Sequence, residues 1–69
     1  MPHYNIVIET HRDRDPDRVR ASVAEGPPFL HGYYTVVRGI DAKPAADSLK
    51  HWIVDDFPQH TFDFIHAEG

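Results

Sequence analysis

Cysteine is absent from this chain of 69 residues, which removes disulfides and every thiolate metal site. That absence matters at this length, because natural folds below about 70–80 residues usually carry a disulfide, a metal or an oligomer contact as a staple. Self-association or a merely adequate core is what remains. Long apolar runs are missing too: none approaches the ~20 residues of a membrane-spanning helix, and no leader-like segment opens the chain. A cytoplasmic location is therefore expected. The four glycines stand apart from one another, so no glycine-rich phosphate cradle exists. Ser22 and Ser48 are the only serines, and neither sits in a Gly-x-Ser-x-Gly turn. No cofactor is expected.

What is present is ordinary for a globular domain: 41% apolar and 26% charged residues. One domain spanning residues 1–69 is the expectation. The net charge of −4 is unevenly placed. Met1 to Arg38 holds five acids and five bases, whereas Gly39 to Gly69 holds six acids (Asp41, Asp47, Asp55, Asp56, Asp63, Glu68) and two bases. The second half is thus unsuited to gripping a phosphate backbone and suited to a basic partner. Direct contact with nucleic acid is not expected, nor is a membrane partner.

Local patterns predict an α+β fold of order β-α-β-α-β, a three-stranded sheet packed against two helices. Tyr4 to Glu9 alternates as a strand, with Tyr4, Ile6 and Ile8 on one face. Asp15-Pro16-Asp17 is a helix start, with Asp15 as N-cap and Pro16 in the first turn. Val19 and Val23 would give that helix its apolar side, and Gly26-Pro27-Pro28 would stop it. Tyr33 to Arg38 predicts a second strand between Gly32 and Gly39. Ala45, Ala46, Leu49, Trp52, Ile53 and Phe57 recur at helical spacing from about Pro44 to Pro58. His60 to His66 alternates as the third strand. The expected core is Ile6, Ile8, Val36, Leu49, Trp52, Ile53, Phe57, Phe62 and Phe64, with Phe29, Leu30 and Ile40 closing it from the loops.

Three groups of residues could carry chemistry. If Met1 is removed, Pro2 becomes a secondary amine able to act as a general base. On the second predicted helix Asp47, His51 and Asp55 follow at i, i+4 steps, a stripe that could touch a divalent metal with help from His60 or His66. A weakly paired polar face describes that stripe better, so no metal site is assigned. The third group is the acids of the second half. Asp55 and Asp56 occupy the last turn of a helix, where the macrodipole is negative and each carboxylate costs about 0.3–1 kcal/mol. Asp56 also falls towards the apolar arc of Leu49, Trp52 and Ile53. Such local conflict is where functional residues collect. Aromatics do not interleave with bases, since Tyr33 and Tyr34 have only Arg38 near them in the sequence.

The opening from Pro2 to Glu9, with Arg12 ten residues after the proline, resembles the start of the 4-oxalocrotonate tautomerase family. That resemblance implies Pro2 as base and Arg12 as a substrate-binding cation. Tyr4 to Glu9, then Gly32 to Val37, then the helix through Trp52 are loosely similar to the antitoxin domain of the HicB family, which runs two hairpin strands together. In size and acidity the chain is similar to phage-encoded anti-CRISPR inhibitors, a resemblance of profile without a motif. Several of those inhibitors mimic the charge of nucleic acid. The function expected is a non-enzymatic inhibitor presenting Asp47, Asp55, Asp56 and Asp63 to a basic, nucleic-acid-binding protein, with Asp41 and Glu68 steering from further off. The alternative is a tautomerase-like enzyme built on Pro2 and Arg12.

Overall fold

The computed structural model describes residues 2–13 and 18–68. Four strands, β1 (His3–Arg12), β2 (Arg18–Glu25), β3 (Tyr34–Arg38) and β4 (Thr61–Glu68), form one sheet of order β3-β2-β1-β4. Among the described residues a single α-helix, α1 (Ala42–Asp56), runs between β3 and β4, and Pro28–Leu30 form one 3-10 turn. The fold is α+β as expected, but with four strands and one helix in place of three strands and two helices. β2 pairs antiparallel with β1 and β3, and β4 pairs parallel with β1. The sheet is therefore mixed.

The element predicted as the first helix is β2. Arg18 to Glu25 alternates as faithfully as it fits a helical spacing: Val19 and Ala21 are buried while Arg18 and Arg20 are exposed. Two β-branched valines in eight residues favour a pleated surface. Pairing with β1 from Val7↔Glu25 to Arg12↔Val19 settles the choice, because a helix of three turns has no comparable partner. Register shifts at Val7 and Ile8, where the β2 partner passes from Glu25 to Val23, a bulge that bends the hairpin. The cap expected at Asp15-Pro16-Asp17 lies outside the described residues.

Helix α1 packs against all four strands from one side and leaves the other side of the sheet bare. Ile6, Ile8, Val19, Ala21, Leu30, Ala45, Ala46, Leu49 and Ile53 make the buried core. The alanines let helix and sheet approach closely. Phe57, Phe62 and Phe64 pack around that core, partly buried. Val36 and Trp52 depart from the expected core, being 48% and 45% exposed. Val36 lies opposite Arg20, on the bare side of the sheet, since the neighbouring Val37 takes the inward position opposite Val19. Trp52 sits at the margin of α1 with its ring on Tyr33, centroids 4.9 Å apart. Ile40 is exposed, whereas Leu30 closes the core as expected. Gly32 and Gly39 bracket β3 with φ of 92° and 127°, conformations that side chains rarely adopt.

Leu49 is the largest apolar side chain of the helix's middle turn and is fully buried. Leu49→Ala is expected to cost about 2–5 kcal/mol, most of the stability of so small a domain. Urea denaturation followed by far-ultraviolet circular dichroism measures the loss.

Candidate functional site

Alternation along the strands sorts side chains between two surfaces of opposite character. One is the outer side and end of α1. The other is the bare side of the sheet.

On α1 the predicted acids separate into two groups. Asp47, near the start, accepts a hydrogen bond from Lys43 Nζ at 2.9 Å and lies 3.9 Å from Lys50 Nζ. The Lys43 hydrogen bond holds its carboxyl below the ordinary 3.8, against a smaller opposing effect of desolvation. That contribution to stability is present above the ordinary carboxylate range and is lost as pH falls through the lowered value. Asp47 is therefore half-neutralised before any partner arrives. Asp55 and Asp56 are both exposed in the last turn, and no base stands in that turn. His51 Nε2 lies 3.7 Å from Asp55. Asp56 accepts the Tyr33 hydroxyl at 3.0 Å, which explains its drift towards the apolar arc. Trp52 and Val54, each about half exposed, stand beside these two carboxylates in the same turns.

Asp63 is not on this surface. β4 places it opposite Asn5, with its carboxylate on the bare side of the sheet, where His3 Nε2 donates to it at 2.9 Å. Asp41 precedes α1 without capping it. It lines a depression of about 600 Å³ together with Arg12, Lys43 and Asp47. Glu68 ends β4 opposite Thr10. The six acids thus occupy separate parts of the molecule, because helix and sheet face opposite ways.

Pro2 precedes β1 and Arg12 ends it. Ten strand residues at ~3.3 Å each put about 33 Å between them, so the two do not share a site within one chain. Histidines are scattered as well. His66 Nε2 lies 2.8 Å from the buried Thr10 hydroxyl and satisfies it. The His60 ring is packed among Tyr4, Phe29, Phe57 and Phe62, at centroid distances of 5.3–6.3 Å. Among the described residues no three metal-ligating side chains are gathered.

The bare side of the sheet carries a cluster with no counterpart in the linear reading. Arg18 lies directly opposite Arg38, and Arg20 directly opposite Val36. The Arg20 guanidinium sits over the Tyr34 ring, 4.8 Å from its centroid. A shallow depression of about 650 Å³ opens there, lined by His11, Arg12, Asp13, Arg20, Ser22, Tyr34 and Val36. Only cross-strand pairing brings Tyr34 to Arg20, fourteen positions away, so no sequence-local pattern could announce it. A period-two reading of Arg18 to Ala24 would have put Arg18 and Arg20 on one face. No family model matches this chain, nor does any curated protein or solved structure.

Burial first, then the hydrogen bond and charge of Asp56, hold the Tyr33 hydroxyl above its ordinary 10.0. The pairing therefore contributes below that pH and is lost as pH rises through the raised value. Asp56→Asn is expected to bring the Tyr33 transition part of the way back, which an ultraviolet absorbance titration of the tyrosines will read.

Proposed function

We propose that this chain is a non-enzymatic binding protein that inhibits a basic, nucleic-acid-handling partner by covering it with the acidic end of α1. The observation that carries the reading is the last two turns of the helix. Asp55 and Asp56 stand there against the macrodipole, with no base in the last turn and with Trp52 and Val54 half exposed beside them. An aromatic anchor ringed by charge is the composition of a binding hot spot. Stability alone would favour Lys or Arg at Asp55, which has only His51 at 3.7 Å in compensation.

The proposed contact set is narrower than the acids suggest at first sight. Lys43 and Lys50 draw off Asp47, and Asp63 lies on the far side of the sheet, paired with His3. Asp55, Asp56 and Trp52 are the central contacts, and Asp41 with Asp47 add attraction at longer range. Charge complementarity of this kind accelerates encounter and excludes wrong partners more than it adds affinity.

The test is a low-salt pull-down from a bacterial lysate, eluted by a salt gradient and repeated with Asp55→Lys and with Trp52→Ala. A basic nucleic-acid-handling protein should be retained by the wild type. Trp52→Ala should weaken it about thirtyfold, the ~2 kcal/mol of a hot-spot residue. Asp55→Lys should release it at lower salt while the melting temperature holds or rises. Retention unchanged in both variants, or no retention of such a partner by the wild type, would sink the reading.

A further inference from the structure

We infer that the bare side of the sheet is a second binding surface, which takes single-stranded nucleic acid through Arg18, Arg20, Arg38 and Tyr34. Four observations lead there. The first is register. Arg18 and Arg38 are directly opposed on neighbouring strands, where like charges repel and lower stability. Arg20 is two residues along β2, about 6.6 Å from Arg18 on the same side. The second is freedom. Among the described residues Arg18 and Arg38 enter no salt bridge, and Arg20 only covers the Tyr34 ring. Two acids of the same side are already engaged: Glu9 accepts from His11 at 3.2 Å and Asp63 from His3, while Glu25 stands at the far end of β2, opposite Val7.

The third observation is the depression of about 650 Å³ between the hairpin end and β3. Its polar lining includes two arginines, His11, Ser22 and one acid, Asp13, which has a partner of its own. The fourth is Tyr34, half exposed at 51%. Arg20 holds its ring in place from one side. Stacking of a base on an aromatic ring or a guanidinium plane, beside cations that follow the backbone, is how single strands are bound without sequence preference.

Two other occupants fit less well. A second copy docked with its β2–β3 strip on this one would set arginine against arginine. An acidic peptide would satisfy the arginines and leave the Tyr34 ring and Val36 without a planar partner. The acidity of the second half does not oppose the assignment, because its helical acids lie on the other side of the sheet.

The experiment is fluorescence anisotropy of a labelled oligothymidylate with the whole chain, titrated in salt, against a duplex of the same length and against heparin. Three phosphate contacts predict a slope of log K against log salt of about −2. Arg18→Gln with Arg38→Gln should bring the slope to about −0.7, and Tyr34→Ala should weaken binding at least about fivefold. Circular dichroism should show all variants folded, since the three side chains are exposed. Asp55→Lys should leave oligothymidylate binding undiminished, which separates this surface from the helix end. Absence of binding at low salt, indifference to the arginine variants, or heparin and duplex binding equally well with Tyr34→Ala silent would each overturn the inference. Self-association that the arginine variants abolish, without oligonucleotide binding, would identify a second copy as the occupant and overturn it as well.

Discussion

One helix of fifteen residues has a four-stranded sheet to cover, and it can lie on one side only. The crossover from β3 to β4 carries α1 over β2 and β1, from one edge of the sheet to the other. Ile6, Ile8, Val19 and Ala21 of the two central strands meet Ala45, Ala46, Leu49 and Ile53 of the helix, and this contact supplies nearly the whole buried core. Every other feature follows from it. The bare side has to be made of side chains that tolerate water, and the helix's end meets only Tyr33, through Trp52 and Asp56.

Charge follows the same division. The helix presents three carboxylates against two lysines, while the bare side of β2 and β3 presents arginines. A net charge of −4 describes neither surface. It conceals a molecule with an acidic end, centred on Asp55 and Asp56, and a basic strip, centred on Arg18, Arg20 and Arg38. On the two proposals above, these ends serve different partners: a basic protein at the helix and a polyanion on the sheet.

Much of the chain was legible in advance. β1, β3, α1 and β4 fall close to their expected places, because each carries an uninterrupted period of two or of about 3.6 bounded by glycine or proline. β2 was not legible. In Arg18 to Glu25 the valines stand four apart, a spacing that fits both periods, and the preceding Asp-Pro-Asp favoured the helical one. The hydrogen-bonding edge of β1 decided the matter, and local propensity has no knowledge of it. The same limit hid the candidate surfaces. Asp47 and Asp63 look alike in the sequence, yet one is paired by lysines on a helix and the other by a histidine on the far side of a sheet.

The sequence by itself determined the absence of disulfides, the amphipathic helix through Leu49 and Ile53, the strand periods of Tyr4 to Glu9 and His60 to His66, and the crowding of carboxylates at the helix's end. These are properties of residue type and of spacing within a dozen positions. Tertiary structure decided that β2 is a strand, that Val36 and Trp52 face outward, that Asp63 is parted from the helical acids, and that Arg20 meets Tyr34. All four depend on which strand edges pair and on which side the helix lies, and both are fixed by contacts between residues far apart in the chain.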